Sequence, residues 1–286
     1  MSQFEPGKLI NLSRLVHRVV APNAGMMTGP GTNTYLIGNE EIAVIDPGPA
    51  DPIHIDAIIS AAESLNGTIK WVLCTHTHPD HSPGATPLCE RTKAKAYGQV
   101  APAEGMSQDQ SFKPDHNWQD LEVLETDSFK IKAVYTPGHA SNHWCYLLQN
   151  EAMLFTGDHI MNGSTVVIAP PDGNMSDYLN SLEKLKSEAI EHIAPGHGDL
   201  INTPLEVIEG TIQHRLMRED KTIQKLAEIQ PANLDQLVKE VYDEVPIFLH
   251  ELAKYSLTAH LDKLASDGKA EKIDDTWQLT SLSSSN

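Results

Sequence analysis

Thr75-His76-Thr77-His78-Pro79-Asp80-His81 follows directly on the apolar stretch Ile69-Lys70-Trp71-Val72-Leu73-Cys74, and this junction decides the fold. Three imidazoles and a carboxylate fall within residues 76–81. A strand that runs into alternating histidines delivers several nitrogen donors to one point. Extended backbone projects His76 and His78 the same way, because side chains repeat every two residues. Beyond Pro79, Asp80 and His81 turn toward a neighbouring position. The spacing therefore suits two metal ions better than one.

Four donors are too few for two ions, and the chain supplies more in the same local setting. Val134-Tyr135-Thr136-Pro137-Gly138-His139 is an apolar strand that ends in a Pro-Gly turn with a His at its exit. Met153-Leu154-Phe155-Thr156-Gly157-Asp158 ends in Gly-Asp, and Ile193-Ala194-Pro195-Gly196-His197-Gly198 repeats the Pro-Gly-His exit. Proline and glycine end regular pairing and permit tight backbone. Each exit alone is commonly no more than a turn. Together, four strand exits converge on five histidines and two aspartates.

These motifs, in this order, resemble the metallo-β-lactamase superfamily over about residues 9 to 200, with Val44-Ile45-Asp46-Pro47-Gly48 preceding them. Gly31-Thr32-Asn33-Thr34-Tyr35-Leu36 and the layout after residue 200 look closer still to the β-lactamase-like protein 2 family, whose animal members are endoribonucleases. The resemblance implies that His76, His78 and His139 bind a first metal. It implies that Asp80, His81 and His197 bind a second, and that Asp158 bridges both. Asp46 is then expected to orient a ligand histidine from outside the ligand set. His143, four residues beyond the ligand His139, is expected beside the ligands, and His159 as a hydrogen-bonded structural histidine.

The chemistry follows from the donors. Zinc accepts imidazole and carboxylate, and three protein ligands per ion leave a position for water; iron or manganese fits the same set. A bridging carboxylate holds two ions roughly 3.5–4 Å apart, and a hydroxide between them is the expected nucleophile, with Asp80 and Asp158 as the catalytic carboxylates. The expectation is a dinuclear-zinc hydrolase of a small anionic or acyl compound: an ester, thioester or lactone. Single-stranded RNA cleavage is the alternative; a β-lactamase or a non-catalytic metal-binding protein ranks lower.

Net charge is −18, and no basic face is apparent, which argues against a reader of double-stranded nucleic acid. A single-strand nuclease needs only a few contacts. No stretch is long and apolar enough to span a bilayer. The start, Met1-Ser2-Gln3-Phe4-Glu5-Pro6-Gly7, lacks a secretory pattern. With three cysteines (Cys74, Cys89, Cys145), it predicts a cytoplasmic protein with reduced thiols, two of them buried in strands.

The pattern predicts an α/β protein, a four-layer αββα sandwich with the metals at one sheet edge. Strands 34–37 and 42–45 pair around Gly38-Asn39, a helix spans 51–66, and a second runs 176–190 with Ser176 as its cap. Loop 161–175, rich in Gly and Pro, is expected to wall the cleft. This catalytic domain spans 1–203. Residues 204–286 read as a long helix over 204–229, facing inward through Leu205, Ile208, Ile212, Leu216, Ile223 and Leu226, then two helices and a hairpin, which fits a winged-helix unit. Residues 231–286 hold five lysines, no arginine and ten acidic residues, so the unit reads as a packing or homodimer module that helps wall the active site. The tail 281–286 is expected to fray.

Overall fold

The computed structural model describes residues 4–102 and 108–280; the expected frayed tail lies outside them. A seven-stranded sheet runs in chain order: β1 (Ile10–Asn11), β2 (Val16–Val20), β3 (Asn33–Ile37), β4 (Glu41–Ile45), β5 (Thr68–Leu73), β6 (Lys95–Gly98) and β7 (His116–Asn117). A second sheet has the order β12-β11-β10-β9-β8, from β8 (Val123–Glu125), β9 (Lys130–Tyr135), β10 (Trp144–Leu148), β11 (Met153–Gly157) and β12 (His192–Pro195).

Period-2 alternation sorts each strand's side chains into two layers. Tyr35, Ile37, Ala43, Ile45 and Leu73 point inward and meet Ile131, Ala133, Tyr146, Leu148 and Phe155 of the facing sheet. The outward set of the first sheet, Leu36, Ile42, Val44 and Val72, is covered by helices α1 (Pro52–Ser64) and α2 (Ala85–Thr92). The outward set of the second, Val134, Cys145, Leu147 and Leu154, is covered by α3 (Met175–Leu185) and the start of α4 (Pro204–Ile229). The four layers are therefore αββα, as expected.

Parallel pairing sets where the strands end. β4 and β5 are parallel across α1, β5 and β6 across α2, and β11 and β12 across α3. Asn33 N donates to Gly196 O at 2.8 Å, so the two sheets meet where the ligand-bearing segments leave them.

Downstream, α4, α5 (Leu234–Val241), α6 (His250–Ser266) and the hairpin β13 (Ala270–Ile273)–β14 (Thr276–Leu279) enclose a separate core around Leu226, Leu237, Leu257, Leu261 and Trp277. Ile208 and Ile212 of the same α4 belong to the core behind the second sheet. No helix among the described residues is long and apolar enough to cross a membrane.

Two local expectations need correction. Asn174, not Ser176, caps α3: its side chain accepts Asp177 N at 3.1 Å, and the helix ends at Leu185. Ile190 packs from the loop that follows. On α4, Leu205 and Leu216 are 53% and 45% exposed, while the polar Arg215, Glu219 and Thr222 are buried. Strand β2 and helix α2 were not anticipated.

Candidate metal centre

Each expected donor leaves the same end of a sheet. Residues 74–81 follow β5, Asp46 follows β4, His139 follows β9, Asp158 follows β11 and His197 follows β12. They assemble into two groups, His76-His78-His139 and Asp80-His81-Asp158-His197, whose donor atoms lie within 4.8 Å of one another in each. In the first, His78 Nδ1 is 3.0 Å from both His76 Nε2 and His139 Nε2. In the second, His81 Nε2 and His197 Nε2 each lie 3.3 Å from Asp158 Oδ1, and His197 Nε2 lies 3.2 Å from Asp80 Oδ2. Asp158 Oδ2 faces the first group, 3.8 Å from His139 Nε2, so one carboxylate addresses both.

Hydrogen bonds on the far side of the rings identify the lone pairs. His139 Nδ1 contacts Val167 O at 2.8 Å, and His197 Nδ1 contacts Gly31 O at 3.3 Å; a carbonyl only accepts, so each Nδ1 carries the proton. Asp46 Oδ2 accepts from His81 Nδ1 at 2.8 Å. Thr75 Oγ1 donates to Asp46 Oδ2 at 2.7 Å and so accepts from His76 Nδ1 at 3.0 Å. Four Nε2 atoms are thereby aimed inward.

Lone pairs facing one another have no hydrogen-bond solution. His78 Nδ1 carries at most one proton, too few for two neighbouring acceptors. In the second group His81 Nε2, His197 Nε2 and Asp158 Oδ1 are buried without an aligned hydrogen-bond partner, despite their 3.3 Å approach. Such orphaned atoms carry a desolvation cost unless something else satisfies them. A tetrahedral cation with bonds of about 2.0–2.2 Å separates its donors by roughly 3.3–3.6 Å, close to these spacings. The residues fit a pair of metal ions.

The groups differ electrostatically. Burial, then the surrounding imidazoles, hold His76 well below the ordinary histidine pKa. His78 is pushed to about 3 by burial and His139, against Asp158 and Asp80. In the second group burial opposes charge on His81, yet Asp80, Asp158 and Asp46 outweigh it and hold its pKa well above the usual value. The same contest leaves His197 at about 9, where Asp158 and Asp80 prevail. Asp158 stays well below the carboxylate range, because His197 and His81 overcome its burial. His76 and His78 thus offer neutral lone pairs, whereas His81 and His197 share protons with the carboxylates around them.

Close backbone approach makes this possible. A Cβ on Gly196 would sit 2.8 Å from both Asp158 Oδ1 and His81 Cε1. Gly157, at φ +45°, would place one 2.4 Å from Thr75 Oγ1.

Asp46 lies behind His81. His143 is fully buried, bonded to Thr136 Oγ1 at 3.0 Å and stacked on His76 with ring centroids 5.0 Å apart. His159 was expected to be hydrogen-bonded, but both ring nitrogens are buried without partners. Its ring packs 4.8 Å from that of Tyr178, and burial and His139 keep its pKa near 3.

The centre opens onto a cavity of about 440 Å³. Loop 161–175 contributes Met161, Val167 and neighbours, as anticipated, and α6 contributes Leu252 and Tyr255. Met26 and Met27, from the loop between β2 and β3, were not foreseen; isolated methionines in a loop carry no periodic signature.

The chain matches the metallo-beta-lactamase superfamily over residues 27–197 and the beta-lactamase associated winged helix domain over residues 234–277. It is 31% identical over 273 residues to a beta-lactamase-like protein 2 homolog of Caenorhabditis elegans, covering 95% of this chain and 90% of that one. It is 29% identical over 274 residues to an atrochrysone carboxyl ACP thioesterase of Cryptosporiopsis sp. (strain 8999), covering 90% and 82%. A beta-lactamase domain protein from Burkholderia ambifaria shares the fold, with a TM-score of 0.81 over 98% of this chain and 96% of that one at 18% identity. The chain therefore belongs to the metallo-β-lactamase superfamily, as a metal-dependent hydrolase that carries a C-terminal winged-helix domain.

Proposed function

We propose that the protein hydrolyses a small ester, thioester or lactone at a pair of zinc ions, held by His76, His78 and His139 on one side and by Asp80, His81 and His197 on the other, with Asp158 between them. In this reading residues 1–203 carry the reaction and 204–286 close the cleft. One observation carries the substrate class. Apart from the donors themselves, the cavity wall is dominated by apolar side chains such as Met26, Met27, Met161, Val167, Leu252 and Tyr255, and among the described residues neither lysine nor arginine lines it. A polynucleotide track would present cations or stacked aromatics to successive phosphates and bases. An apolar wall beside a cationic centre suits an acyl group whose carbonyl points at the ions.

Bound there, the ions supply an activated water and polarise the scissile carbonyl. The chain's own residues do the rest. Asp158 directs one oxygen at each group and so ties the two positions together. The Asp80 side chain is 24% exposed at the cleft, placed to take the attacking water's proton and pass it to the leaving oxygen or sulfur. The hydrophobic wall excludes bulk water and orients the acyl chain.

The test is a panel of an ester, a thioester, a lactone and labelled single-stranded RNA, incubated with zinc-loaded protein and with Asp158→Ala. Turnover of an acyl substrate that vanishes in Asp158→Ala supports the reading. Cleavage of RNA with no acyl turnover overturns it. The similarity to a thioesterase of comparable length makes the thioester the first compound to try.

A further inference from the structure

Val166, Val167 and Ile168 form no regular secondary structure, yet each is held by a different element. Val167 O accepts the Nδ1 proton of His139 at 2.8 Å. On one side, Arg215 of α4 donates through Nη2 to Val166 O. On the other, Ile168 N donates to Ser256 Oγ of α6 at 3.4 Å, and the Ile168 side chain is fully buried against α3, α4 and α6. Arg215 is only 3% exposed, with its guanidinium 5.3 Å from the centre of the Tyr178 ring. Neither Arg215 nor Ser256 borders the cavity.

We propose that Arg215 and Ser256 are positioning residues through which the C-terminal helices set the aim of His139. A peptide plane in irregular chain rotates freely unless its neighbours are held. If the plane carrying Val167 O turned, His139 would lose the acceptor that fixes both its tautomer and its ring rotation, and with them the direction of the Nε2 lone pair. A buried arginine is costly unless its donors are used. Here the hydrogen bond to Val166 O and the face of Tyr178 engage the guanidinium. The C-terminal helices thereby act on the reaction from inside the fold, through a segment that also walls the cleft.

This inference rests on the reading of His139 as a metal ligand. The test uses full-length protein and two readouts: metal affinity by competition with a chromophoric chelator, and the visible absorption of the cobalt(II)-loaded form. Arg215→Met is expected to weaken binding of one ion by roughly 10–100-fold, the range for lost partners of ligand histidines, and to shift the cobalt bands. Arg215→Lys, which keeps a donor, is expected to recover part of both, and Ser256→Ala to move them in the same direction by less. Arg218→Gln is the control for general loosening, since Arg218, on the same helix as Arg215, contacts Val241 O at the end of α5 and Glu244 beyond it. It is expected to lower Tm without changing affinity or spectrum. Wild-type affinity and spectrum in both Arg215→Met and Ser256→Ala would overturn the proposal, as would equal losses in Arg218→Gln at matched Tm. If Arg215→Met does not fold, Ser256→Ala decides alone. A wild-type chain that binds no metal would instead sink the ligand reading itself.

Discussion

Asp46 Oδ2 lies 2.8 Å from His81 Nδ1 although 35 residues separate them, and the same carboxylate accepts Thr75 N and Thr75 Oγ1, each at 2.7 Å. It thus fixes both the start of the histidine loop and the tautomer of one of its rings. Asp46→Asn tests the second role. With one oxygen kept for Thr75 N, the new amide would face the Nδ1 proton of His81, donor against donor. His81 must then swing away or move its proton to Nε2, where it blocks the inward lone pair. The expected outcome is a roughly 10–100-fold loss of affinity for one of two ions. Stepwise metal analysis after dialysis checks it, and two ions retained at wild-type affinity would refute it.

Metal removal should be visible in stability as well as in activity. Seven donors, several of them buried and facing one another, are satisfied together only when cations are bound. At metal concentrations 100-fold over Kd, one ion adds about 2.7 kcal/mol, or roughly 5–10 °C in Tm for a domain of this size. Chelation should lower Tm by that order and abolish hydrolysis, and added zinc should restore both. His76→Ala and Asp158→Ala should lose metal and turnover together. Full activity in a metal-depleted preparation would defeat this account.

Much of this centre was legible before any coordinates, because its donors sit at strand exits marked by proline or glycine. Asp46 carried a weaker mark, a lone carboxylate after an apolar strand, and its partner His81 is evident only in three dimensions. Strand β2 was missed because His17 and Arg18 read as polar. Both are buried, and His17 is satisfied by Asn11 and Asn39. Helix α2 is eight residues long and starts without a side-chain cap, so no start signal announced it. Apolar spacing misjudged part of α4 for the reason that makes Arg215 interesting: between Ile212 and Leu226 its buried stripe is polar, with Arg215, Glu219 and Thr222 inside. The cleft wall draws on three distant segments, and no periodicity links them.

Gly196 tests the packing of the centre without replacing a donor. Its backbone is not in the left-handed region, so alanine meets no conformational penalty there, but its Cβ would meet Asp158 Oδ1 and His81 Cε1 at 2.8 Å and the Gly157 carbonyl carbon at 3.0 Å. Neither side chain can yield without moving a donor. Gly196→Ala should therefore cost about 1–3 kcal/mol of stability, the usual penalty of overpacking, and lower metal content with it. An alanine variant with full metal content and full turnover would show that the centre is looser than its geometry implies.

The α6 wall separates binding of the acyl chain from chemistry at the carbonyl. Leu252 borders the cavity without contributing a donor to either group. Leu252→Lys would set an ammonium against the acyl chain. KM for a long-chain thioester should rise at least tenfold, while kcat for a short acetyl ester changes little, because losses confined to substrate binding appear in KM. Equal losses for both chain lengths would place the acyl group elsewhere.

The two groups should part company as pH falls. Without metal, His197 holds a proton up to about 9 and His81 higher than usual, so an ion entering the Asp80-His81-Asp158-His197 group must displace protons. Below pH 9 its apparent affinity should fall with acidity, by up to tenfold per pH unit for each proton displaced. His76 and His78 are held low, His78 at about 3, so protons do not compete for these two donors until the medium is far more acidic. The sign is therefore fixed: acidification from pH 9 toward 6 takes the carboxylate-side ion first and leaves one ion per chain. Activity, which needs both, should follow the weaker position. Metal stoichiometry measured across this range, beside His197→Ala as a one-ion reference, decides the matter. Simultaneous loss of both ions, or earlier loss from the three-histidine group, would contradict the electrostatic difference between them.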